Sequence, residues 1–168
     1  YELTNDPFAI GLIGLSEVIP AVSLSLYAGH IIDISEKRKL LLTGVFLYLV
    51  CAILLLILST HISATILSKH WIVFSIYIII FFTGIIRSFT GPSFGTMLAS
   101  IVPKNLLQNA TTWSQGIWLS ASVIGHASVG FFIAGVGNTY SLGIIIFLVF
   151  IGFAFMWRIK SKPALKEA

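Results

Sequence analysis

Five long apolar runs, separated by short polar or glycine- and proline-containing stretches, make up most of the chain. They cover residues 8–32, 40–59, 71–102, 112–135 and 140–157. Each run is near or above the roughly 20 residues that an α-helix needs to cross a bilayer. Continuous apolar runs of this length favour helices over the alternating strands of a membrane barrel. The pattern therefore predicts an all-α integral membrane protein, with five transmembrane helices bundled over residues 1–157.

The composition agrees with this prediction and excludes a soluble class. Apolar residues make up 57% of the chain and charged residues 10%, and the mean hydropathy is +1.00. A soluble domain of 168 residues has too little interior to bury so much apolar surface. The net charge of +4 does not indicate nucleic-acid binding, because the cations stand in short loops between the apolar runs. We therefore expect the chain to lie in the lipid bilayer and to bind no nucleic acid.

The distribution of Lys and Arg predicts an orientation in the membrane. If the loop 33–39 is cytoplasmic, the same side also receives residues 103–109 and the tail after residue 157. Eight of the ten cations then lie inside: Lys37, Arg38, Lys39, Lys104, Arg158, Lys160, Lys162 and Lys166. Short loops rich in Lys and Arg remain cytoplasmic. We therefore expect a multi-pass protein of a cell membrane, of the bacterial inner-membrane type, with its C-terminus in the cytoplasm.

The turn between the first two runs carries a recognisable spacing, G-x-x-x-D-x-x-x-[KR]-[KR]. Its four defining residues are Gly29, Asp33, Lys37 and Arg38. The spacing resembles the loop between the second and third helices of major facilitator superfamily transporters, usually written G-x-L-A-D-[RK]-x-G-R-[RK]. Ile34 stands where the family prefers a cation, and Glu36 where it prefers glycine. The alternative is an ordinary positive-inside loop with a helix-terminating acid. In either case the Asp33 carboxylate could bind a helix N-terminus or a cation and latch two helix bundles together.

The resemblance implies a position for the chain within a larger transporter. The family's signature loop follows a second helix, whereas one run precedes the loop here. The five runs would then be helices two to six of a six-helix N-terminal half. An upstream first helix and a C-terminal half would complete the protein, of which this chain would be a fragment. Residues 158–168 would begin the cytoplasmic linker between the halves.

Two ionisable side chains within the runs are candidates for ion coupling. Arg87 and Gly91 resemble the family's fourth-helix motif R-x-x-x-G, which is linked to proton coupling. A guanidinium in hydrocarbon costs about 3 kcal/mol or more, so Arg87 should face a polar interior; the alternative is that it snorkels to the cytoplasmic interface. Glu17 could couple ions or bind a cationic substrate, or be a neutral, hydrogen-bonded carboxyl between helices. Counted from the outer ends of their runs, Glu17 lies ~14 Å deep and Arg87 ~24 Å deep, so no direct pair is expected without tilt or water.

The fourth run offers a histidine and a face of small residues. The segment from Gly125 to Gly130 aligns with the G-P-x-x-G-G pattern of exporters, with His126 in place of Pro and Val129 in place of the first Gly of its closing pair. This departure weakens the antiporter interpretation. His126 could titrate protons, although a lone histidine in a span is more often a hydrogen-bonded packing residue. Small residues allow close helix contact, so Gly91, Gly125 and Gly130 are predicted packing positions.

The sequence contains no pattern that indicates catalysis. It shows no nucleophile–base pair, H-E-x-x-H motif, phosphate-binding loop or Cys/His cluster at usable spacing. We therefore expect no enzyme activity, no cofactor and no metal. The resemblance is closest to the drug and siderophore exporter branch. It implies a secondary active transporter that moves a small-molecule substrate by alternating access, as proton-coupled efflux. The alternative is a non-transporting membrane scaffold or assembly subunit.

Overall fold

The computed structural model describes residues 7–60, Thr65 and residues 68–159, and within these ranges it contains helices and no strand. The helices are α1 (Pro7–Ser23), α2 (Ser25–Ile34), α3 (Lys37–Leu58), α4 (Lys69–Ile101), a 3-10 turn (Lys104–Leu106) and α5 (Leu107–Arg158). The prediction of an all-α fold is confirmed. Residues 160–168, most of the predicted linker, lie outside the described residues.

Three stretches are long and apolar enough to cross a membrane: α3, α4 and residues 104–158; the bent pair α1–α2 makes a fourth. Helix α5 has 52 residues, which at 1.5 Å per residue is about 78 Å, more than twice the ~30 Å hydrocarbon core. Gly137 interrupts it with a φ of 81°, a conformation that glycine adopts without strain. It divides α5 into residues 107–136, called α5N, and residues 138–158, called α5C. Each part has the length of one crossing.

Helix α3 packs antiparallel against both α4 and α5C. At one end the Thr139 hydroxyl donates a hydrogen bond to the Ser59 carbonyl, over 3.4 Å. Near the other end the rings of Phe46 and Phe153 lie 6.2 Å apart. Helix α4 also ends beside the start of α3. Helix α5N therefore begins at that end of the bundle and runs to Gly137 at the opposite end. The two parts of α5 therefore form a helical hairpin.

The first predicted run bends by 51° between α1 and α2. Pro20, a residue that can kink a helix, lies one turn before the bend. The backbone N–H of Leu24 still donates to the Pro20 carbonyl at 3.0 Å, and that of Ala28 to the Leu24 carbonyl at 2.7 Å. The bend turns Ala28 and Ile32 inward, where both are buried, and α2 contacts α4. The broken helix thus wraps around α4.

Candidate functional site

Close contact between α1 and α4 begins at Gly84. A Cβ atom at Gly84 would overlap the carbonyl oxygen of Glu17 and lie 2.8 Å from Cγ of Pro20. Further along the same interface, the Tyr77 hydroxyl donates a hydrogen bond to the Ala9 carbonyl at 3.0 Å. The two helices run in the same direction, and these contacts fix their register. Glycine is required at residue 84 because any side chain would separate the backbones.

This register joins Glu17 to Arg87 directly. Nη1 of Arg87 donates to Oε1 of Glu17 over 2.6 Å, which is an ion pair between α1 and α4. The expectation of no direct pair is therefore wrong. The depth calculation set the outer ends of the runs level, but Ala9 is level with Tyr77, which shifts α4 outward by about 8 Å at 1.5 Å per residue. The long side chain of Arg87 spans the axial distance to Glu17 that remains.

Helix α3 brings two further polar side chains to this ion pair. A Cβ atom at Gly44 would overlap the Thr90 side chain, so α3 approaches α4 as closely as α1 does. One turn along α3, the Tyr48 hydroxyl interacts with the Thr90 side chain and lies within electrostatic range of Arg87 and Glu17. We call Glu17, Tyr48, Arg87 and Thr90 the polar cluster. It brings polar side chains of three helices together.

One side of the polar cluster is open. The Arg87 side chain is 60% exposed and that of Glu17 is 35% exposed. Thr83, one turn before Arg87 on the same face of α4, lines a cavity of about 440 Å³ together with Tyr48 and residues of α5C. The α1 contact at Gly84 and the α3 contact at Thr90 lie on either side of this face. A proton or a ligand could therefore reach the ion pair from the cavity side.

The signature residues lie on either side of a two-residue turn. Gly29 and Asp33 belong to α2, whereas Lys37 and Arg38 are the first residues of α3. The Asp33 side chain is exposed, and within the described part of the chain we find no hydrogen bond or ion pair at its carboxylate. Lys37 Nζ donates to the Asp33 backbone carbonyl at 3.2 Å. The latch role of Asp33 stays a prediction.

Arg38 makes the long-range contact of this loop. Its Nη2 donates a hydrogen bond to the Trp157 carbonyl at 2.7 Å. The last carbonyls of a helix carry partial negative charge, so a cation there is favourable. The neighbouring Lys39 instead pairs with Glu36 at 2.8 Å, within the loop. The Arg38 contact is not predictable from the sequence, because spacing along the chain does not show which helix end lies beside the loop.

The remaining predicted residues lie apart from the polar cluster. His126 is exposed on α5N, with Nδ1 2.7 Å from the Ser122 carbonyl, a distance at which an Nδ1–H donates. A Cβ atom at Gly91, Gly125 or Gly130 would meet no atom within 4 Å among the described residues. Their packing role stays a prediction. The close contacts that are observed use Gly44 and Gly84, which sequence analysis did not select.

Comparison with known proteins identifies the family. The family described as transmembrane secretion effector matches residues 2–167, nearly the whole chain. No curated protein and no solved structure matches the chain. The family match, the signature loop and the apolar helices agree on a multi-pass membrane transporter rather than an enzyme. The chain belongs to the transmembrane secretion effector family of major facilitator superfamily transporters.

Proposed function

We propose that this chain supplies helices two to six of a secondary transporter that exports a small molecule by alternating access in exchange for protons. Membership of the family supports a transporter over a scaffold subunit. The description of the family as a secretion effector and the resemblance to drug and siderophore exporters favour efflux. A first helix upstream and a C-terminal half complete the transporter in this proposal, and the loop 33–39 lies in the cytoplasm of a bacterial cell.

The observation that carries proton coupling is the ion pair between Glu17 and Arg87. A carboxylate and a guanidinium among apolar helices lose much of their hydration, and removing one partner leaves the other charge uncompensated. Protonation of Glu17 removes its charge and weakens the pair. Because the partners stand on different helices, the free energy of the α1–α4 arrangement then depends on whether the proton is bound.

Proton coupling requires that protonation of Glu17 select between two conformations of the transporter. With Glu17 protonated, Arg87 is drawn toward water or toward an anionic group of the substrate in the neighbouring cavity. With Glu17 charged, the pair reforms and holds α1 against α4. The Tyr48 hydroxyl, which interacts with Thr90, lies within electrostatic range of both charges. Alternating access needs two arrangements of one interface, and in this proposal binding of a proton selects between them.

The test compares Glu17→Gln, Arg87→Lys and Arg87→Ala in the full-length protein, reconstituted in liposomes with an imposed pH gradient. Ethidium and a catecholate siderophore serve as transport probes. A coupling free energy of 1–3 kcal/mol corresponds to about 5–150-fold, so proton-driven flux should fall by that factor and lose its pH dependence. Probe binding should change much less. Arg87→Lys should be intermediate, because lysine keeps the charge but not the planar fork.

Glu36→Gln is the matched control, since it breaks the Lys39–Glu36 pair in the loop and should leave the pH dependence intact. Wild-type flux and pH dependence in all three pair variants would show that Arg87 only snorkels. Absence of flux for every probe in the wild-type protein, with the protein correctly inserted, would favour the scaffold alternative.

A further inference from the structure

The N-terminus of α3 carries more positive charge than its neighbours neutralise. The helix begins with Lys37, Arg38 and Lys39, and its first turn contains no acidic residue. Glu36, the residue before the helix, pairs with Lys39 but makes no side-chain hydrogen bond to the backbone N–H groups of the first turn. Those N–H groups and the positive end of the helix dipole attract anions and disfavour cations. A bound anion would therefore be stabilised at this end of α3.

Arg38 is only partly satisfied by the contacts of the described residues. Its guanidinium has five N–H donors, and the hydrogen bond that we find is the one from Nη2 to the Trp157 carbonyl at 2.7 Å. Nε is buried and has no hydrogen-bond partner within the described part of the chain. Buried polar atoms are normally paired with protein, water or a ligand. Phosphate oxygens suit the planar fork of an arginine particularly well, so Arg38 can bind a phosphate while it contacts the end of α5C.

A row of aromatic rings leads from Arg38 into the membrane. The ring of Trp157 lies 5.8 Å from that of Phe153, which in turn lies 6.2 Å from that of Phe46. We call these three rings the aromatic seam, and both of its end members, Phe46 and Trp157, are exposed. Phe46 stands about 12 Å along α3 from Arg38, within the ~15 Å that one leaflet contributes to the hydrocarbon core. The aromatic seam therefore has the length of the acyl-chain region of a single leaflet.

We propose that this end of the α3–α5C interface binds an anionic phospholipid, with its phosphate at Arg38 and the first turn of α3 and an acyl chain along the aromatic seam. The inference needs α3 and α5C to cross a membrane, but it does not depend on export or on proton coupling. A soluble phosphate compound would contact only Arg38 and the helix end. A phospholipid also packs against the rings that lie at the depth of its chains.

The local charge favours an anionic lipid over a zwitterionic one. The charged side chains of the turn and of the adjoining helix end are four cations and two carboxylates: Lys37, Arg38, Lys39, Arg158, Asp33 and Glu36. They leave a surplus of two positive charges. Basic positions between transmembrane helices attract anionic head groups, and a tryptophan such as Trp157 is typical of the depth at which head groups lie.

Quenching of Trp157 fluorescence by brominated phospholipids tests this site in the full-length transporter. Every other tryptophan is replaced by phenylalanine, and the protein is reconstituted in phosphatidylcholine bilayers. Phosphatidylglycerol or phosphatidylcholine with brominated acyl chains is then added in increasing proportion. Bromine quenches tryptophan on contact, so the two curves give the relative affinity of the site for the anionic lipid. Phosphatidylglycerol should be preferred about fivefold or more, since one Lys or Arg near an anionic lipid contributes about that factor.

Arg38→Gln should reduce this preference about fivefold. Because each variant is measured with both lipids, a general loosening of the structure would move the two curves together and leave their ratio unchanged. Lys69→Gln is the matched control. Lys69 also stands near an aromatic pair, Trp71 and Phe74, whose rings lie 6.0 Å apart, but at the opposite end of α4. Its loss should not change the ratio measured at Trp157.

Four results would overturn the inference. They are equal affinity for the two lipids, a preference that Arg38→Gln leaves intact, an equal effect of Lys69→Gln, and no quenching by either lipid, which would mean that protein covers the aromatic seam. Soluble glycerol phosphate at millimolar concentration should not remove the preference; if it does, the site takes a soluble phosphate compound. If the protein with Trp157 alone does not fold, native mass spectrometry of the protein with all its tryptophans serves instead. Arg38→Gln should then lose a bound phosphatidylglycerol that Lys69→Gln retains, and equal binding by both variants would refute the site.

Discussion

Replacing Gly84 with alanine should disrupt the α1–α4 interface and, with it, the ion pair. The added Cβ overlaps the Glu17 carbonyl oxygen, lies 2.8 Å from Pro20 Cγ and 3.0 Å from the Glu17 carbonyl carbon. Two of these atoms are backbone, which cannot rotate away, so α1 must move outward by on the order of 1 Å. Forcing an extra methyl group into a packed contact costs about 1–3 kcal/mol. Alanine regains about 1 kcal/mol of helix propensity over glycine.

Gly91→Ala supplies the matched comparison on the same helix. A Cβ atom there meets no atom within 4 Å among the described residues, so this variant should show the propensity gain without the clash. The free energy of unfolding of Gly84→Ala should therefore lie about 1–3 kcal/mol below that of Gly91→Ala. SDS-induced unfolding of the full-length protein in mixed micelles measures this difference. Proton-driven flux of Gly84→Ala should also fall, because the shift lengthens the Glu17–Arg87 distance.

Equal unfolding curves for the two variants, together with normal flux, would refute the reasoning. The backbones of α1 and α4 would then be free to separate without consequence. Loss of stability with normal flux would be more informative. It would keep the close contact but show that transport does not depend on the geometry of the ion pair.

Three further predictions concern the signature loop and its neighbours. With the native cysteine replaced, an impermeant thiol reagent on intact cells should label a cysteine at Ser68 and not one at Ser35; the reverse would invert the orientation. Asp33→Asn should reduce transport and leave membrane insertion unchanged, whereas normal flux would make Asp33 a simple loop acid. Arg38→Ala should lower the SDS-unfolding free energy by about 1 kcal/mol through loss of its hydrogen bond to the end of α5, and Lys39→Ala, the control, should change it little; equal effects would refute a specific contact.

The sequence by itself determined the class of protein and the approximate positions of its helices. Apolar runs of this length must satisfy their backbone hydrogen bonds internally when they lie in a bilayer, which leaves the helix as their structure. Short loops force neighbouring helices to lie side by side, and Gly137 breaks α5 between two predicted runs. The signature spacing in residues 29–38 and the fourth-helix motif at Arg87 were sufficient to suggest the family that the whole-chain match shows.

Only the tertiary structure decided which residues meet. The ion pair depends on an axial shift of α4 against α1, and nothing in either run sets that shift; it arises from Gly84 resting on Glu17 and from the hydrogen bond of Tyr77 to Ala9. Glycines in a span look alike in sequence, yet Gly84 is enclosed while Gly91 on the same helix meets no neighbour in the described residues. Helical periodicity gives the face on which a residue lies, but not its depth relative to a residue on another helix. That depth is set by packing across the interface, and it is what brings Glu17 and Arg87 together.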